Sequence, residues 1–130
     1  MKGCQRMIKT YTKGKTEKLA ANFKIKEFDC KCGECSITLV DEKLVKHLQN
    51  IRNHFNAPVI INSGYRCYKH NKAVGGAVNS RHMRGQAADI AVKDIEPRKV
   101  AAYAEKLGVD GIGRYKTFTH IDTRGYAARW

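Results

Sequence analysis

Residues 38–62, TLVDEKLVKHLQNIRNHFNAPVIIN, leave little choice of architecture. Leu44, Leu48, Ile51 and Phe55 recur at helical spacing and place one apolar stripe on one face. Asp41 suits the N-cap, and acids come early and bases late, as the helix dipole favours. Asn56-Ala57-Pro58 stops the helix, and PVIIN (58–62) reads at once as a buried β-branched strand. A one-striped helix joined so tightly to such a strand predicts a sheet with helices on it.

The rest of the chain fits that plan. QAADIAV (86–92) reads as a second strand, and PRKVAAYAEKLG (97–108) as a second helix, with Pro97 near its start and Gly108 as its C-cap. GIGRY (111–115) and FTHIDTR (118–124) predict a hairpin closing on Lys116-Thr117. NFKIKEF (22–28) alternates and reads as a short extended segment. Residues 63–85 are rich in Gly, Asn, Ser and bases, with a short helix expected around 69–74. That stretch is too long for a casual connector and points to a functional loop. The expected class is α+β, a small, largely antiparallel sheet with helices on one face. With 130 residues there is room for one core, so the expected organisation is a basic N-terminal arm (1–22) and a single domain (23–130).

Charge narrows the partners. The chain carries +13, and +7 of it lies before residue 27, where eight bases face the single acid Glu17. Such a field attracts polyanions: nucleic acid, anionic membrane or anionic wall polymer. The bases lack interleaved aromatics and no recognition motif appears, so nucleic acid is not the expected partner. No apolar run reaches the length of a membrane span, and MKGCQRMIKTYTKGK has no apolar h-region of a signal peptide. An odd count of five cysteines, without such a signal, argues for synthesis in a reducing cytosol.

The chemistry-bearing residues lie in NSRHMRGQAADI (79–90) and THID (119–122). In the first, Ala88, Ile90 and Val92 alternate toward the core, so Asp89 points to the other face between small Ala87 and Ala91. In the second, His120 and Asp122 are two apart on a strand and share a face. With His82, two imidazoles and one carboxylate make a donor set that suits zinc and leaves a fourth position for water. A zinc-activated water is a nucleophile at neutral pH. The plainer reading of each residue is a surface histidine or an aspartate paired with an arginine.

Ser80-x-His82-x-x-Gly85-x-Ala87-x-Asp89, followed by a strand bearing His120, resembles the zinc D-Ala-D-Ala carboxypeptidase family. VanX-type dipeptidases and phage endopeptidases belong there, and the Hedgehog signalling domain shares the fold. NFKIKEF, LVKHLQNIRNHF, SGYRC, the His70-Asn71 pair, VGGA, GIGRY and HIDTR extend the likeness to the bacterial and phage branch. The resemblance implies zinc on His82, Asp89 and His120. It implies that Arg66 binds a peptide carboxylate or stabilises an oxyanion, and that Ser80 contacts substrate or steadies the ligand loop. The implied substrate is the stem peptide of peptidoglycan, cut by carboxypeptidase or endopeptidase action; a substrate outside the cytosol and the lack of a signal peptide are reconciled by a phage lysis enzyme or a prophage-derived protein.

One position departs from the family. VanX-type and phage relatives carry a general-base Glu or Asp three residues before the last histidine, where this chain has Thr117. Asp122 is therefore the expected general base or orienter of water, with a salt bridge to Arg124 or Arg66 as its plainer reading. His70 is a second candidate for contact with substrate. The departure also leaves room for a zinc-bearing wall-binding domain without activity.

CKCGEC (30–35) adds three thiols, with Cys67 and Cys4 elsewhere. Thiolates close a metal site, whereas hydrolysis needs an open one. Cys30, Cys32 and Cys35, joined by Cys67 or Cys4, either hold a second, structural zinc or remain reduced, packed thiols. The C-x-C-x2-C spacing lacks the paired knuckles of zinc ribbons and favours thiols. A monomer is expected.

Overall fold

In a computed structural model, residues 7–130 are described. Cys4, and with it the start of the basic segment, lies outside them. Strands β1 (Ile8–Thr12), β2 (Lys18–Ala20) and β3 (Phe23–Lys24) come first. A 3-10 turn (Ile25–Phe28), β4 (Ile37–Asp41), α1 (Glu42–Phe55), β5 (Val59–Ser63) and α2 (Tyr68–Ala73) follow. A second 3-10 turn (Arg81–Arg84) leads into β6 (Ala87–Val92), α3 (Pro97–Leu107), β7 (Gly111–Arg114), β8 (Thr119–Asp122) and β9 (Ala128–Arg129).

The central sheet runs β5-β6-β8-β7-β9 and is antiparallel except for the β7–β9 pair. Leu44, Leu48 and Ile51 of α1 and Val100, Ala101 and Ala104 of α3 meet Ala88, Ile90, Ile112 and Ile121 in one buried cluster. The alternation of β6 explains the division: the even-numbered residues feed this core, and Asp89 faces the other way. Leu48 is fully buried there, so Leu48→Ala costs about 2–5 kcal/mol. The sheet thus has a helix-covered face and a face left for chemistry.

Asp41 caps α1 as its sequence predicts, accepting from Lys43 N at 2.9 Å, and Asn56 ends the helix in the left-handed conformation. NFKIKEF departs from the expected extended segment. Only Phe23–Lys24 is strand; Glu27 then reaches back to Lys24 N at 2.7 Å, and the resulting turn sends Ile25 and Phe28 inward. The basic segment is laid down as edge strands in its described part: β1 pairs with β4, and β2 with β3. No helix among the described residues is long and apolar enough to cross a membrane.

Candidate metal centre and cleft

Sheet register builds the site. Asp89 on β6 stands opposite His120 on β8, which stands opposite Gly113 on β7; Ser63 on β5 completes the row. The neighbouring row is Ala87, Asp122 and Gly111. The residues beside the two acids are small because they must be. A Cβ at Gly111 would lie 2.2 Å from an Asp122 carboxylate oxygen, and one at Gly113 would lie 2.6 Å from the Trp130 indole nitrogen.

His82 arrives from the 3-10 turn. Ser80 caps that turn, its Oγ accepting from His82 N at 3.2 Å. Gly85 ends it with φ 72°, and a Cβ there would strike the Leu39 backbone at 2.5 Å. Ser80 and Gly85 therefore shape the loop that aims His82.

His82, Asp89 and His120 are all buried, and their ligand atoms lie within 4.8 Å of one another. Asp89 Oδ1 is 3.2 Å from His82 Nε2 and 2.9 Å from His120 Nδ1. Each ring is held by its other nitrogen. His82 Nδ1–H donates to Gly64 O at 2.7 Å, and His120 Nε2–H donates to Asp122 Oδ2 at 2.8 Å. Those bonds fix which nitrogen turns its lone pair inward, the arrangement characteristic of metal-binding histidines. Two imidazoles, one carboxylate and two outer acceptors fit a zinc ion. Burial works to raise the Asp89 carboxyl, but hydrogen bonds from His120 and His82 outweigh it and hold Asp89 ionised, well below the usual carboxylate range. Burial likewise opposes the charged form of His120, yet Asp122 and Asp89 pull its pKa upward.

Arg66 is fixed from three sides: Nε to Ser63 Oγ at 3.0 Å, one terminal nitrogen to Asn71 Oδ1 and the other to Asp89 Oδ2, both at 3.3 Å. It lines a cleft of about 790 Å3 with Ser80, Arg81, His82, Asp89, His120 and Trp130. Among the described residues, Asp89 is the only carboxylate on the cleft wall. A second hollow, of about 640 Å3 between β2 and α1, contains none of these groups. Its lining is ordinary surface around Tyr11, Leu19 and Val45.

Two expected residues are placed elsewhere. Asp122 stands behind the His120 ring, fully buried, with Arg124 forked onto both its oxygens at 2.7–3.2 Å. Its lone pairs are occupied and it does not line the cleft, which does not suit a general base. His70 does not line the cleft either: α2 turns Asn71 inward instead, where its Nδ2 donates to Ala77 O at 2.8 Å. By sequence Asn71 has a place in the family likeness but no role in the site, although a Cβ at Gly76 would fall 2.1 Å from its Oδ1, so the VGGA glycine is its signal. Trp130 was missed; its ring lies 5.0 Å from that of His120, and Arg124 stacks on it at 4.8 Å.

Residues 21–122 match the peptidase M15 family. The chain belongs to that family. It is 33% identical over 94 residues to a Haemophilus influenzae protein named as a probable peptidoglycan L,D-endopeptidase, MepK, a match covering 65% of this chain and 50% of that one. It is 54% identical over 33 residues to the zinc D-Ala-D-Ala carboxypeptidase of Streptomyces albus G, covering 25% of this chain and 13% of that one. The chain thus spans half or less of the curated relatives it matches.

Proposed function

We propose that this M15 chain is a zinc peptidase that hydrolyses an amide bond in peptidoglycan stem peptides. The observation that carries the reading is the convergence of His82 Nε2, His120 Nδ1 and Asp89 on the cleft floor, each histidine locked by a separate acceptor. The names of the two relatives support the substrate class.

Zinc, when bound by His82, Asp89 and His120, supplies Lewis acidity and a water activated at neutral pH. The chain's own groups do the rest. Gly64 O and Asp122 keep the rings in register. Arg124 balances the buried Asp122 charge. With Arg124 neutralised by Asp122, Arg66 and Arg81 face Asp89, the only carboxylate lining the cleft among the described residues, an electrostatic bias toward a peptide bearing carboxylates. Arg66, held beside Asp89, meets a substrate carboxylate or the developing oxyanion. Ser80 acts by capping the His82 turn. The +13 charge suits anionic wall polymers.

The shortage of cleft carboxylates favours a second reading, a wall-binding domain that holds zinc without turnover. One experiment separates them. Purified muropeptides are incubated with wild type and with His82→Ala, and the products are weighed by mass spectrometry. Cleavage by wild type that a chelator stops, zinc restores and His82→Ala lacks supports the peptidase. The mass lost also tells carboxypeptidase from endopeptidase action. Binding of muropeptide with no cleavage by zinc-loaded wild type supports the second reading instead.

A further inference from the structure

Four sulfurs converge on the far side of the Arg66 segment. Cys30, Cys32 and Cys35 come from the loop before β4, and Cys67 from the residue after Arg66. All four Sγ atoms lie within 4.8 Å of one another. Cys32 Sγ to Cys35 Sγ is 3.3 Å and Cys30 Sγ to Cys67 Sγ is 3.7 Å. A tetrahedral zinc with Zn–S bonds of about 2.3 Å sets its sulfurs roughly 3.8 Å apart. A disulfide needs about 2.05 Å. The cluster has the dimensions of the first and not of the second.

The backbone is arranged around sulfur. Gly33 takes φ 75°, turning Cys32-x-x-Cys35 into a knuckle whose Glu34 and Cys35 amides both point at Cys32 Sγ at 3.3 Å. Cys67 N–H donates to Cys30 Sγ and His70 N–H to Cys67 Sγ, each at 3.4 Å, while Lys13 Nζ lies 3.7 Å from Cys35 Sγ. Every sulfur thus has an N–H donor, the outer hydrogen bonding that metal-bound ligands carry.

We propose that Cys30, Cys32, Cys35 and Cys67 form a closed tetrathiolate site for a structural zinc ion. The spacing of CKCGEC, read alone, favours packed thiols because it shows a single knuckle; the fold supplies the missing ligand 32 residues after Cys35. Binding releases the thiol protons to solvent and changes no oxidation state. The site ties the 30–35 loop to the segment 64–67. That segment already donates Tyr65 N–H to Phe28 O at 2.8 Å, and it carries the Gly64 carbonyl that holds His82 and the Arg66 that touches Asp89. The metal is thereby a buttress for the cleft. It stands independently of the peptidase reading, because its ligands are separate from those on the cleft floor.

The test uses the full chain purified under reducing conditions, as wild type, His82→Ala and Cys32→Ser/Cys35→Ser. Native mass spectrometry counts zinc, and cobalt substitution reads the donor set. The expected result is one zinc retained by His82→Ala and, with cobalt, a strong sulfur-to-metal charge-transfer band in both wild type and His82→Ala. The double cysteine variant loses that band and melts at lower temperature. Should that variant fail to fold, the band in wild type and His82→Ala still decides. Absence of the band, or a protein mass short by the hydrogens of two disulfides, overturns the proposal. Failure of muropeptide cleavage leaves this outcome unaffected.

Discussion

Asp122 and His120 form a back-to-front pair: the carboxylate accepts from His120 Nε2–H at 2.8 Å, and the opposite ring nitrogen faces Asp89 at 2.9 Å. Asp122 is fully buried and neutralised by Arg124. A positioning role predicts that Asp122→Asn weakens zinc binding at the cleft by about 10- to 100-fold, the usual effect of losing such a partner. Chelator competition measures it. A general base predicts instead a collapse of kcat with zinc affinity intact.

Gly111 abuts the same carboxylate. Gly111→Ala puts a Cβ where an Asp122 oxygen now lies, 2.2 Å away, and the oxygen belongs to a buried ion pair that cannot yield cheaply. The expected outcome is a loss of about 1–3 kcal/mol in denaturant unfolding together with weaker zinc binding. Unchanged stability would show that the strand shifts freely.

Arg66 presents a planar fork to Ser63, Asn71 and Asp89 at once. Lysine cannot reproduce that geometry. Arg66→Lys is expected to lower kcat/KM on muropeptides roughly 10- to 100-fold, from charged hydrogen bonds worth about 1.5–3 kcal/mol, while zinc stoichiometry stays the same. Steady-state kinetics with parallel metal analysis checks both halves. A variant as active as wild type removes Arg66 from the substrate site.

His47 gives the fold a pH signature. Its Nε2 is buried and, among the described residues, finds no partner; burial first, and the Lys43 charge second, push its pKa below the ordinary histidine value. The unfolded chain therefore takes up a proton at about pH 6.5 that the folded chain resists. The stability linked to this group is present above that pH and declines as pH falls through the folded pKa. The melting temperature of wild type is expected to fall relative to that of His47→Gln as pH is lowered from 7 to 5. Parallel curves would contradict this.

Local rules made much of the scaffold legible. The α1 stripe and its Asp41 cap are set by neighbouring residues, and the period-two pattern of β6 correctly divides Ala88 and Ile90 from Asp89. The pairing of β1 with β4, and the parallel docking of β9 on β7, join segments far apart in sequence and carry no local mark. For the same reason the sequence offers Cys67 or Cys4 to the CKCGEC loop, and Arg124 or Arg66 to Asp122, without choosing; the fold brings Cys67 to the loop and Arg124 to Asp122. Thr117 illustrates it most plainly. Its loss of a carboxylate is visible in the sequence, but only the sheet shows that Asp122 faces the back of His120 rather than the cleft.

The measurement that tests the central claim most directly is an anomalous difference map at the zinc absorption edge, from crystals of the zinc-loaded protein. The account predicts a peak between His82 Nε2, the Asp89 carboxylate and His120 Nδ1, with Asp122 still on His120 Nε2. A cleft floor without a peak, or a metal bound through the Asp122 side of His120, would contradict it.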